Sequence, residues 1–283
     1  QMATTFLIPS DTHDDAFPDP SSLPKADVVL HCGDLTMIGG LGNYKKAIVK
    51  INALDAELKL VIAGNPDVSL DPKWWQTNLD DDDDDPAEPS KALELFKAEN
   101  TNGLHFLEEG THTFTLSGNR TFTIYVSPYT PEFNGYAFAY GPDENRFGLS
   151  AKESIPANVD IVMAHGPPLL PSSVYELDIN REGQHCGCPM LYAAVREAKP
   201  KVHCFGHLHE GYGVQDVSWS SGTDVEDDSG ADEIVGAVRK NSEETVLAGA
   251  VGHTLLVNAA IMNHGEEENN RPWLVSLDLE RTE

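Results

Sequence analysis

Five short stretches of this chain share one design, in which an apolar run rich in β-branched residues stops at a loop carrying an Asp, Asn or His. They read "SDTHD" (10–14), "HCGDLT" (31–36), "AGNPD" (63–67), "MAHGPP" (163–168) and "FGHLHEGYG" (205–213). Runs of that kind are strands, and the Gly, Pro, Asn and Asp that follow them mark loops. In open α/β sheets the loops leaving the strands gather along one edge, where ligands bind. Such a chain is held to a layered fold that carries seven side chains toward one place: Asp11, His13, Asp34, Asn65, His165, His207 and His209.

The rest of the pattern agrees with alternating strands and helices. Strands are expected at 6–9, 28–30, 60–63, 121–126, 159–164 and 202–205. Between some of them lie helical patterns. Residues 43–58 put Ala47, Ile48, Ile51, Leu54 and Leu58 on one face, residues 90–100 open with Ser90 as a cap, and Pro189 stands at the start of a helix over 189–198. Strands alternating with helices place the chain in the α/β class.

Carboxylate, amide oxygen and imidazole together suit borderline metals such as Mn, Fe, Co, Ni or Zn better than calcium or magnesium alone. In Asp11-x-His13 and His207-x-His209 the two side chains of an extended pair point the same way, so each pair is expected to grip one or two neighbouring ions. Any one of these residues alone reads as a core histidine or a turn aspartate. All of them together, each at a strand end, read as a metal site.

The order Asp-x-His, Gly-Asp, Gly-Asn, His-Gly, Gly-His-x-His resembles the calcineurin-like metallophosphoesterase superfamily from Asp11 to His209. "SPYTPEF" (127–133), "HGPPL" (165–169) and "GHLHEGYG" (206–213) are similar to its branch of metallophosphoesterase-domain-containing proteins. The resemblance implies a four-layer αββα sandwich. Because the motifs are interleaved along the chain, they converge only within a single domain, here expected over 1–283. The resemblance further implies two divalent ions, Asp11, His13 and His209 holding one, Asn65, His165 and His207 the other, and Asp34 bridging them. A hydroxide shared by the ions would be the nucleophile of phosphoester hydrolysis, with Asp34 and Asn65 central to catalysis. His31, His203 and Glu210 are candidates to orient the imidazoles, with burial in the core the alternative for His203. Tyr129, Phe133, Tyr136 and Tyr212 lie in loops expected to border the site, where they either touch substrate or pack beneath a loop.

One position departs from the family. Where most members have a histidine after the motif's asparagine, thought to protonate the leaving oxygen, this chain has Pro66. Proline donates no proton, yet its fixed φ can hold the loop that presents Asn65. The expectation is a phosphodiesterase that prefers activated aryl esters or that recruits His31, Glu210 or a substrate group as acid. Two alternatives stand beside it: Lewis-acid chemistry on a non-phosphate small molecule, and a binding protein with weakened catalysis.

Charge narrows the partners. The formal net charge of -27 repels phosphate backbones and anionic lipid, so a small anionic substrate is expected rather than a nucleic-acid polymer or membrane. The first residues, "QMATTFLIPS", have neither a basic stretch nor a long apolar one, and the expected location is cytoplasmic. Cys32, Cys186, Cys188 and Cys204 are expected as thiols, and the one-residue gap in "CGC" argues against a zinc knuckle. Acidic stretches near 79–90 and 218–245 are expected as solvated insertions. The oligomeric state is open.

Overall fold

The computed structural model describes residues 2–14, 16–80, 83–148, 154–170, 176–219, 233–238, 245–263 and 268–281. In chain order the strands are β1 (Met2–Ile8), β2 (Val28–His31), β3 (Leu58–Val61), β4 (Leu104–Phe106), β5 (Gly110–Leu116), β6 (Arg120–Ser127), β7 (Thr130–Pro131) and β8 (Ala139–Tyr140). They continue with β9 (Ile161–Ala164), β10 (Val202–Phe205), β11 (Gly213–Ser218), β12 (Glu233–Val238), β13 (Val246–Ala248), β14 (His253–Asn258) and β15 (Trp273–Leu279). The helices are α1 (Leu41–Asn52), α2 (Pro72–Asn78), α3 (Glu88–Ala98) and α4 (Pro189–Ala198).

Two mixed sheets form. One runs β13-β15-β1-β2-β3-β4 and the other β12-β11-β14-β10-β9-β6-β5. Alternation along each strand sends its side chains to two cores. Phe6, Ile8, Val28 and Leu30 of the first sheet face Phe122, Ile124, Ile161 and Met163 of the second, with the Phe6 and Phe122 rings edge to face at 5.5 Å. Leu7, Val29 and Val61 point the other way, under Tyr44, Ile48, Ile51 and Phe96 of α1 and α3. On the far side Tyr125, Val162 and Phe205 pack beneath Leu191 and Val195 of α4. These are the four layers of an αββα sandwich.

Several elements differ from the sequence reading. The helical face does not reach Leu58: α1 stops at Asn52, and Leu58 pairs with Val28 as the first residue of β3, so strand pairing outweighs the helical period. Helix α3 starts at Glu88, two residues before Ser90, because Pro89 fits a first turn that needs no donor there. Ser90 therefore caps nothing, and residues 88–90 of the expected acidic insertion are helical. At the second acidic stretch, Ser218 closes β11, Trp219 is buried with Nε1 donating to Thr254 Oγ1 at 2.7 Å, and β12 pairs with β11. Residues 220–232 and 239–244 of that stretch lie outside the described residues. The strands β14 and β15, unread in the sequence, complete the sheets: β15 runs antiparallel to β1 from Met2↔Leu279 to Ile8↔Trp273.

Candidate metal centre

The parallel strands β1, β2 and β3 of one sheet and β9, β10 and β14 of the other end at one edge. Hydrogen bonds from Ser10 N to Ala259 O and from Ile261 N to Ser10 O, both 2.9 Å, join the two sheets there. The chain leaves these strands in left-handed turns, with φ of 54° at Asp11, 36° at His13, 55° at Asp34 and 68° at His207. Each costs a non-glycine residue roughly 1–2 kcal/mol, and such strain persists where the surroundings fix it. The Asp11-x-His13 and His207-x-His209 pairs are therefore not extended as the spacing predicted. Left-handed residues, with His209 opening a 3₁₀ turn over His209–Gly211, aim the side chains instead.

All seven candidate residues come together, in two groups around Asp34. In the first, His13 Nε2 lies 3.4 Å from Asp34 Oδ2 and 3.3 Å from His209 Nε2, and His209 Nε2 lies 3.2 Å from Asp11 Oδ1. Potential ligand atoms of Asp11, His13, Asp34 and His209 all fall within 4.8 Å of one another. In the second, Asn65 Oδ1 is 2.9 Å from both His165 Nε2 and His207 Nδ1, and His165 Nε2 is 3.0 Å from Asp34 Oδ1. The opposite ring nitrogens are held by backbone: His165 Nδ1 by Cys32 O at 2.9 Å and His13 Nδ1 by Thr36 O at 3.3 Å.

Close approach needs two glycines. A Cβ on Gly64 would lie 2.0 Å from Asp34 Oδ1, and one on Gly206 2.0 Å from Asp11 Oδ2. Asp67, unassigned in the sequence reading, is the joint between loops. Its buried carboxylate accepts from Thr36 N (3.0 Å) and Thr36 Oγ1 (2.8 Å) through one oxygen, and from Leu35 N (3.1 Å) and Gly64 N (2.9 Å) through the other. It thus fixes Asp34 relative to Asn65, and its place two residues after Asn65 in "AGNPD" was the signal available. Burial and the Asp34 charge push its pKa up to about 7.

The charges here are strongly coupled. Burial raises Asp11, but His209, His165 and His13 hold it well below the usual carboxylate range. Burial opposes charge on His165, yet Asp34 and Asp11 push it up to about 9, while burial and the His165 charge push His207 down to about 4. Burial likewise works against His209, and Asp11 raises it. The carboxylates thus focus a field that favours cations.

A cavity of about 570 Å³ opens onto this cluster. Pro66, Phe133, Tyr136, Arg181 and Glu210 line it. Phe133 is half exposed and meets the His207 ring edge to face at 5.6 Å. The other aromatic candidates lie elsewhere: Tyr129 is covered by Arg146 at 3.3 Å, and Tyr212 stacks on Trp273 at 5.0 Å. His31 is fully buried behind Thr12, with Nε2 3.1 Å from Thr12 Oγ1, and burial pushes it down to about 3. His203 is buried too, beside Phe205, and burial pushes it down to about 4. Glu210 faces the cavity with Oε1 engaged by Arg181 Nε at 3.1 Å. Cys186 also lines it, whereas Cys188 Sγ accepts from Leu191 N at the start of α4.

The donor set fits divalent metal. Asp34 Oδ1 is buried and paired only with an imidazole nitrogen, His165 Nε2 at 3.0 Å, among the described residues, and ring nitrogens of His13 and His209 crowd each other beside carboxylates, as lone pairs do when a cation belongs among them.

The sequence of residues 4–211 matches the family model described as calcineurin-like phosphoesterase. The chain belongs to that family. Metallophosphoesterase domain-containing protein 1 of Homo sapiens and its namesake in Mus musculus are each 35% identical over 217 residues, 75% of this chain and 62% of theirs. The chain thus spans less than two thirds of those calcineurin-like relatives. A solved crystal structure 13% identical, covering 92% of this chain and 91% of its own, superposes with a TM-score of 0.50 and shares the fold. No helix among the described residues of this phosphoesterase-family chain is long and apolar enough to cross a membrane.

Proposed function

We propose that this chain is a dinuclear metal-dependent phosphodiesterase acting on a small anionic ester, built as a single domain. The observation that carries it is Asp34, whose two carboxylate oxygens face different groups, Oδ2 toward His13 and Oδ1 toward His165. Asp11, His13 and His209 would hold one cation, Asn65, His165 and His207 the other, and Asp34 both. Two such cations supply Lewis acidity that activates water and offsets charge on phosphate oxygens. The chain's own contribution is placement: Asp67 fixes the Asp34 and Asn65 loops, and backbone carbonyls orient the imidazoles. The net charge of -27 favours a small substrate over a nucleic-acid polymer. Purified protein loaded with Mn²⁺ should turn over bis(p-nitrophenyl) phosphate; no turnover above Asp34→Ala sinks the reading.

Pro66 supports a second reading. It lines the cavity where a proton donor would stand in the family, so Lewis-acid chemistry on a non-phosphate metabolite is the alternative. Product analysis separates the two, since only the first releases a phosphate monoester.

A further inference from the structure

One cavity residue has no role in the chemistry above. Arg181 is the sole Lys or Arg among the described residues lining the cavity, in a chain of net charge -27. It sits at the tip of a tight turn. Asn180 N donates to Gln184 O and Gly183 N to Asn180 O, both at 2.9 Å, and Asn180 Oδ1 accepts from Glu182 N and Gln184 N at 3.0 and 2.9 Å. The base of the turn is pinned by Asp178, whose buried carboxylate binds His185 Nδ1 at 2.6 Å and Leu170 N at 3.0 Å. A segment tied this way holds its side chain's origin still.

The Arg181 side chain reaches back to the metal loop. Nε donates to Glu210 Oε1, and Glu210 directly follows His209. Among the described residues Arg181 has no other ion pair or side-chain hydrogen bond, so its two terminal NH₂ groups remain on an exposed guanidinium. A planar guanidinium fork matches carboxylate and phosphate oxygens. Glu132 and Glu182, both exposed, share the wall, so an anion approaches there against their field unless Arg181 offsets it.

We propose that Arg181, registered by Glu210, binds a second anionic group of the substrate, a carboxylate or a further phosphate, and so selects doubly anionic phosphoesters over singly anionic ones. This rests on the phosphoesterase reading for the position of the scissile phosphate.

The test compares ethylphosphonate with carboxyethylphosphonate, which differ by one carboxylate, in calorimetric titrations of the Mn²⁺-loaded full chain. Carboxyethylphosphonate should bind the parent about tenfold more tightly, as one charge-assisted contact at an exposed site allows. In Arg181→Gln the gain should fall below about twofold, with ethylphosphonate affinity and metal content unchanged; Arg181→Lys, which keeps the charge without the fork, should retain part of it. No gain in the parent, a gain that survives Arg181→Gln, or equal weakening of both ligands overturns the proposal. Intact discrimination without turnover of bis(p-nitrophenyl) phosphate sinks the phosphoesterase reading and leaves only the anion contact at Arg181, while turnover with binding of neither phosphonate overturns the Arg181 proposal alone.

Discussion

Gly64→Ala adds a single methyl group at the most crowded point of the cluster. The new Cβ would stand 2.0 Å from Asp34 Oδ1, 2.4 Å from Asp34 N and 2.7 Å from His165 Cε1. To reach ordinary contact, the carboxylate oxygen has to yield about 1.4 Å. The backbone cannot follow freely, because Asp67 ties Gly64 N to the amides of Leu35 and Thr36. Overpacking of this kind costs roughly 1–3 kcal/mol of stability, and a displacement near 1 Å at a reacting centre costs about 10²-fold in rate. Gly42→Ala is the control: the same methyl meets nothing within 4 Å in helix α1 and should stabilise by roughly 0.5–1 kcal/mol. Chemical denaturation, elemental analysis after dialysis and phosphodiester turnover read the three effects. Parent-like metal content and turnover in Gly64→Ala would refute the argument that Asp34 is held by close packing.

Three further outcomes follow from the same geometry. Asp34→Ala should lose more metal than His13→Ala, because Asp34 faces both groups and His13 one; equal occupancy by elemental analysis removes the shared role. Pro66→His should raise turnover of alkyl phosphodiesters by about 10²-fold or more while changing activated aryl esters little, and an unchanged dependence on leaving-group pKa would show that another acid already acts. His203 titrates near pH 4 when folded against an ordinary 6.5, so its contribution is intact above pH 6.5 and is lost as pH falls through 4. His203→Phe removes that titration and should flatten the loss of stability between those pH values by up to about 3 kcal/mol, measured by urea unfolding at stepped pH. An unaltered slope would show that His203 takes no part in acid unfolding.

Much of the site was legible before any folding. The seven candidate ligands, the α/β alternation and the anomaly at Pro66 are local facts, since a β-branched run ending at Gly, Asn or Asp reports a strand exit wherever the chain later carries it. Cross-chain consequences were not legible. The left-handed turns at Asp11, Asp34 and His207 are imposed by contacts such as His207 N with the Asp11 carboxylate, 196 residues apart in sequence. Leu58 left its helix because Val28 offered a strand partner. Asp67 looked like a turn residue until its four donors arrived from two loops, and His31 looked like a proton donor until packing buried it behind Thr12. Local pattern determined which residue types reach the sheet edge. Only the tertiary structure decided which of them face the cavity, because burial and partner choice depend on chain segments that sequence spacing does not bring together.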